Sequence, residues 1–393
     1  MKTIDTSLTF AESARWLIHF ITFSDKSYKN AFMQIPNRTW GSKLSMIALK
    51  GKTLFETLLL NYVAESSLRN VPSWETDIQR PLADESHREN CYLVAMPDNQ
   101  ASLLTLQSRQ VFLCREQNKV IGYYVAGGDY FNEEEVFNEH MTLWRSWKDK
   151  KTGMYIFSPL KGGSLTRAWQ EFGCIAVTSG NNDSSKGFRI PGVMHWIHTL
   201  MQYGIIKRSD MINVEIAAVV YDENDQKSLC IKDTISDSLT FHAQLLQEAG
   251  AEWRVLIQDE ISRCEDAAKA VYHLYKDLQK ANGRRDKDGK TEQSGELDAR
   301  TEFYERIDRP FRLWLADLDP AQADRIDYPQ ELERQLRDIA LRFGNELAAQ
   351  SDSAAIFGRY LKEQGEITSS AAALNQFTYL IRKKIFTRAG DMS

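Results

Sequence analysis

The apolar pattern changes character at Ser236, and that change limits the possible folds more than any other feature of the 393 residues. Downstream, "SLTFHAQLLQEAGAEWRVLIQDEISRCEDAAKAVYHLYKDLQKA" keeps apolar residues at helical spacing for about forty positions. Residues 282–295, "NGRRDKDGKTEQSG", interrupt it with charge and glycine, a loop signature. Helical spacing resumes over 302–316, 329–350 and 354–386, the last interrupted near Gly365. Apolar-faced helices in series bury those faces against one another, so residues 238–393 are expected to form an up-and-down four-helix bundle.

Residues 1–237 alternate short strands with short helices and are expected to form a mixed α/β domain, making the whole chain α+β. Near the start, Thr9 precedes an apolar run with Glu12 three residues on, the pattern of a capping box. "LSMIALKG" reads as a strand and "LFETLLLNYV" as a buried helix. "VFLCREQNKVIGYYVAGG" reads as two strands joined at residues 115–119. "VMHWIHTLMQYGII" reads as a short helix stopped near Gly204. "MINVEIAAVVY" and "SLCIKDTI" frame a hairpin-like pair whose polar connection is "DENDQK".

The net charge of −5 excludes a chain that is basic as a whole, so any nucleic-acid contact must use local basic loops. Five scattered cysteines without a CxxC pair leave no zinc knuckle or disulfide framework, and free thiols fit a reducing compartment. The first residues carry no apolar signal segment, and no stretch is long and uncharged enough to span a bilayer. A cytoplasmic protein is expected.

Catalysis finds little support. "HWIH" puts His195 and His198 one helical turn apart, with no carboxylate at the spacing of HExxH. The loops "VTSGNN" and "NNDSSKGF" match neither a phosphate-binding loop nor a nucleophile elbow. We therefore expect no catalytic residue, metal or cofactor. Basic loops offer more. Lys26, Lys29 and Lys43 are interleaved with Tyr28 and Trp40; Lys148, Lys150 and Lys151 lie beside Trp144 and Trp147; Arg284 and Arg285 head a third cluster. Lysines meet phosphates and aromatic rings stack on bases. In the hairpin connection, Asn224, Asp225 and Gln226 carry groups able to read base edges, and a short finger can wedge a base step. Residue by residue, an ordinary surface or turn is the favoured reading of each of these.

Five phrases in order resemble one family, the large subunit of the type I-E CRISPR Cascade complex. They are "ESARWLIHFITFSDKSYKN", "LKGKTLFETLLLNYV", "NQASLLTLQSRQVFL", "MTLWRSWKDKKTGMYIFSP" and "VVYDENDQKSLCIKDTISDSLTF", followed by a terminal helical bundle. The second is the most specific.

The resemblance implies a division of labour. Guide RNA held by other subunits reads the target by base pairing, while the large subunit checks a short flanking motif (the PAM) and helps open the duplex into an R-loop. It implies that the hairpin's glutamine wedge is Gln226, with Asn224, Asp225 and Lys227 beside it. It further implies that Lys29 contacts the motif, that Lys148 matches a further family lysine, and that Lys26, Lys43, Arg284 and Arg285 are candidates for the DNA backbone. The implied partners are the backbone, small and guide-end-binding Cascade subunits, the guide RNA, target double-stranded DNA and the helicase–nuclease that degrades it. Two departures stand out. The chain starts just before the early loop, so an N-terminal segment usual in the family is expected to be missing. Asp222, Glu223 and Asp225 place acids at the tip, so the motif preference is expected to differ. The missing segment motivates an alternative, a scaffold or decoy that occupies the large-subunit position without reading DNA.

Overall fold

The structure, a computed structural model, describes residues 7–23, 41, 44–64, 71–75, 97, 99–129, 139–160, 167–176, 189–221, 231–283, 293–361 and 366–386. The chain divides into two compact units, Met1–Lys207 with Ile212–Leu239, and Arg208–Met211 with Thr240–Ser393.

The first unit opens with β1 (Leu8–Thr9) and α1 (Phe10–Phe23). The Thr9 N–H donates to Glu12 Oε2 (2.9 Å), and the Glu12 N–H donates back to Thr9 Oγ1 (3.2 Å). This is the expected capping box, and the Thr9 backbone bond holds the Glu12 carboxyl below its ordinary pKa. There follow β2 (Ser45–Leu49), α2 (Leu54–Asn61), α3 (Gln100–Leu104), β3 (Arg109–Glu116), β4 (Lys119–Gly127), β5 (Trp144–Lys148) and β6 (Tyr155–Pro159). The unit continues with α4 (Phe172–Ile175), α5 (Gly192–Gln202) and β7 (Met211–Tyr221) into β8 (Ile231–His242), within which the division of the chain falls. The strands form sheets ordered β1-β4-β3, β2-β7-β8 and β5-β6. As expected, α5 stops at Gly204, whose φ of 71° suits a residue without Cβ.

The expectation of a buried helix at "LFETLLLNYV" is corrected. The helix forms, but no residue of α2 is buried, and Leu54 and Phe55 are 74% and 72% exposed. Polar bonds tether it instead. The Asn61 side chain accepts from the Leu49 N–H (2.9 Å) and donates to the Leu49 carbonyl (2.7 Å), while Trp196 Nε1 donates to the Leu59 carbonyl (3.1 Å). Apolar composition marks a helix but does not say which side is covered.

In the second unit, α6 (Ala251–Asn282), α7 (Gln293–Asp317) and α8 (Asp327–Ala349) precede α9 (Ser353–Phe357), β9 (Arg359–Leu361), β10 (Glu366–Thr368) and α10 (Ser370–Leu380), which runs into a π-turn at Ile381–Ile385. Among the described residues, α6 packs on α7, α8 and α10, and α8 packs on α7 and α10, a four-helix bundle. Along α6 the buried positions Trp253, Ile257, Ile261, Cys264, Ala268, Val271, Leu274 and Leu278 recur every three or four residues, one stripe of the helix. Gly283, at φ 73°, ends it.

Three boundaries differ from expectation. Residues 238–242 are strand, because "ISDSLTFH" also carries a period of two: Leu239 and Phe241 are buried while their neighbours are not. The helix expected from residue 302 begins at Gln293, in a stretch too polar for apolar spacing to reveal it. The interruption near Gly365 is a strand pair, β9 against β10, rather than a point break.

Close approach and aromatic packing set the bundle's geometry. A Cβ on Gly344 of α8 would stand 2.8 Å from Phe377 Cδ1 of α10. Gly344→Ala would ordinarily favour a helix, but here overpacking should lower stability by about 1–3 kcal/mol, read as a lower denaturation midpoint. Tyr328 lies between Trp253 (6.2 Å) and Trp314 (5.7 Å), and its hydroxyl donates to the Trp314 carbonyl (2.7 Å). Burial, then Asp317, pushes its pKa from the ordinary 10.0 up to about 12. The unfolded chain therefore loses this proton first, so the stabilisation is complete below pH 10 and declines as pH rises toward 12. Thermal melts across that window should show the decline, and Tyr328→Phe should reduce it.

Candidate nucleic-acid interface

Two hairpins share one strand. β2 pairs antiparallel with β7, from Ser45 opposite Ala218 to Leu49 opposite Val214. On its other edge, the Ile47 N–H donates to the Met141 carbonyl (2.7 Å), the Leu143 N–H donates to the Ser45 carbonyl (3.0 Å) and the Ser45 N–H donates to the Leu160 carbonyl (2.8 Å). Leu143 leads into β5 and Leu160 follows β6, so the β5–β6 hairpin hangs on β2 by main-chain bonds. β8 neighbours β7 in the same sheet.

Of the sequence-derived site, Lys148 lies within the described residues. Asn224, Asp225, Gln226 and Lys227, which join β7 to β8, lie outside them. So do Lys26, Lys29, Lys43, Arg284 and Arg285. Lys148 is exposed at the end of β5, opposite Tyr155. The turn beyond it closes through the Asp149 N–H donating to the Met154 carbonyl (2.8 Å) and the Gly153 N–H donating to the Asp149 carbonyl (2.9 Å). Gly153 takes φ 71°, which a hairpin loop of this length needs near its end.

The Asp149 carboxylate organises that turn. Oδ1 accepts from the Lys151 N–H (3.0 Å), and Oδ2 accepts from the Thr152 N–H (3.2 Å) and Thr152 Oγ1 (2.7 Å). The Lys151 backbone bond, then the Thr152 hydroxyl, lowers the Asp149 pKa and keeps it anionic. Sequence reasoning passed over this residue. Its signal was the string Asp-Lys-Lys-Thr-Gly, turn chemistry in which an Asp side chain takes the place of a backbone acceptor. Lys148, Lys150 and Lys151 are all exposed around it.

The base of the hairpin is apolar. Trp144 is 4% exposed and packs with Leu44, Leu103, Leu106, Met46 and Phe157. The Arg189 guanidinium sits 3.8 Å from its ring centroid, and burial lowers the Arg189 pKa. Trp144 is thus a core residue, whereas Trp147, 45% exposed, faces solvent. At the start of the segment Glu139 is buried. It accepts from the Met141 N–H (2.8 Å) and Thr142 Oγ1 (2.5 Å), and burial raises its pKa. On α5, His198 is buried and His195 exposed, so the two do not present one open face. Among the described residues, no helix is long and apolar enough to cross a membrane.

An α+β chain with a cationic hairpin on its mixed unit and a helical bundle behind it in sequence is the class of protein these features define. A family model described as CRISPR-associated protein Cse1 matches residues 1–343, and the chain belongs to that family. It is similar in fold to Cse1 of Thermobifida fusca, at 24% identity and a TM-score of 0.73, over 98% of this chain and 72% of that one. Cse1 from Acidimicrobium ferrooxidans gives 19% and 0.65, over 98% and 74%. CasA of Thermus thermophilus gives 16% and 0.64, over 95% and 72%. No curated protein matches the chain in sequence.

Trp144→Ala should empty the hairpin's base and cost about 3–5 kcal/mol, measured as a loss of chemical stability in the purified protein.

Proposed function

We propose that this chain is the non-catalytic large subunit of a type I-E CRISPR RNA-guided surveillance complex, recognising the flanking motif on target DNA and starting strand separation. Family membership supports the large-subunit role. The observation that carries the DNA-reading role is the attachment of both hairpins to β2, one ending in Lys148 and the other leading to residues 222–230. A strand bonded along both edges is a rigid mount, and readers of duplex DNA need their contacts held in fixed register.

In this reading Lys29, Lys148 and Lys227 meet the duplex, with Lys26, Lys43, Arg284 and Arg285 on the backbone. Asn224, Asp225 and Gln226 address base edges, Gln226 acts as the wedge, and the guide RNA captures the opened strand. The other complex subunits hold the guide, the helicase–nuclease docks afterwards, and the assembly works in the cytoplasm. The mixed unit carries the motif-contacting role and the second unit the bundle.

Gln226→Ala in the assembled complex should leave folding intact and slow duplex opening on a matched target, followed by fluorescence of a base analogue beside the motif. Unchanged opening, together with equal affinity for matched and scrambled motifs, would overturn the reading and leave a scaffold role.

A further inference from the structure

We infer that the short helical segment 168–175 braces the β5–β6 and β7–β8 hairpins against each other, with Glu171 and Asp237 as positioning residues that fix the angle between them. Its consequence for strand separation rests on the DNA-reading role proposed above; the brace itself does not.

All the parts lie in the first unit. A helical turn, Ala168–Glu171, runs directly into α4. Ala168, Trp169, Phe172 and Ile175 are enclosed, so the segment belongs to the core and not to a surface loop. Polar ties join it to both hairpins. The Ala168 N–H donates to Asp237 Oδ2 of β8 (2.7 Å). The other Asp237 oxygen accepts from the Ser238 N–H (2.7 Å), which orients the carboxylate. From the same turn, Glu171 Oε1 lies 3.5 Å from the Arg145 guanidinium of β5. Glu171 is 9% exposed, and an enclosed carboxylate requires a countercharge, which Arg145 supplies. The neighbouring Cys174 thiol registers that enclosed charge: burial, then Glu171, pushes its pKa up to about 12.

Bonds to β2 fix where each hairpin is attached, since β2 holds β7 on one edge and the segments flanking β5–β6 on the other. Attachment along one strand leaves a hinge, because the twist between neighbouring strands varies from pair to pair. A second tie outside that strand removes the rotation. Segment 168–175 supplies it: its enclosed side chains set its own position, and the two carboxylate contacts carry that position to β5 and β8. A binding constellation works when its parts hold their spacing to within about 0.5 Å, so residues that touch no ligand still decide how well it engages.

The test measures the separation of the hairpins in the full chain by double electron–electron resonance. Spin labels replace Lys150 and Lys232, both exposed, as unnatural residues, so that the native cysteines stay unlabelled. The natural protein should give one narrow distance distribution. Asp237→Ala should broaden it, and Asp237→Asn, which keeps an oxygen acceptor for the Ala168 N–H, should restore it. Arg145→Ala combined with Glu171→Gln removes the other tie without stranding a buried charge, and should broaden the distribution as well; this pair decides the matter if Asp237→Ala fails to fold. A merely structural role predicts a lower melting temperature with the distribution still narrow, and that result would overturn the proposal. So would equal broadening by Asp237→Asn and Asp237→Ala. In the assembled complex without labels, duplex opening should slow in the variants whose distributions broaden and recover in Asp237→Asn. Broadened distances with unchanged opening would uphold the brace and overturn the DNA-reading role, so the two readings fail separately.

Discussion

β2 is the element on which the mixed unit depends. Its side chains alternate between buried and half-buried, with Ile47 and Leu49 wholly enclosed, while its main chain bonds β7 on one edge and the segments flanking β5–β6 on the other. An interior strand of this kind has no edge free to slip, and a one-residue slip would turn Ile47 and Leu49 toward solvent. Both hairpins inherit their register from that constraint. The β5–β6 tip can be polar and exposed because its base is fixed by apolar packing around Trp144.

Charge is organised locally rather than globally. With a net charge of −5, the chain has no overall attraction for a polyanion. In the bundle, cations are drawn into pairs: Arg306 bridges Glu302 and Glu346 while lying 4.2 Å over the Phe343 ring, Arg263 joins Glu260 to Glu333, and Arg334 meets Glu331. The Arg306–Glu346 and Arg263–Glu333 contacts tie helices together, and all of these pairs cancel field. At the β5–β6 turn the arrangement is reversed. The acid serves the backbone, and the lysines are left to solvent. Arginines thus brace the bundle, whereas the lysines of this turn face solvent.

A single bulge illustrates how register controls the surface. Glu116 pairs with Lys119 and Arg115 with Val120, but Cys114 pairs with Gly122, so Ile121 is the extra residue. That insertion sets Phe112 opposite Tyr124 instead of Tyr123 and leaves both rings exposed, with centroids 6.4 Å apart. It also explains why Val120 and Val125, five positions apart, are both buried: the bulge flips the alternation between them. Tyr123 turns instead toward Phe20 of α1, at 6.0 Å.

The sequence by itself determined the elements and their kinds. The capping box at Thr9 and Glu12, the stop at Gly204, the two-strand readings on either side of residues 117–118 and 222–230, and the helical stripe of α6 are all local, since each depends on residues a few positions apart. The family was legible in the same way, from phrases in order. Only the tertiary structure decided which apolar faces are covered. The leucines of "LFETLLLN" and Trp144 are apolar alike as text, yet no residue of α2 is buried and Trp144 is enclosed. It also decided where a strand yields to a helix, as at Leu239 and Phe241, whose spacing fits both periods until burial selects one. The reason is physical: hydrogen-bonded turns and caps are satisfied by near neighbours, whereas burial requires partners brought from distant parts of the chain, and no local pattern names them.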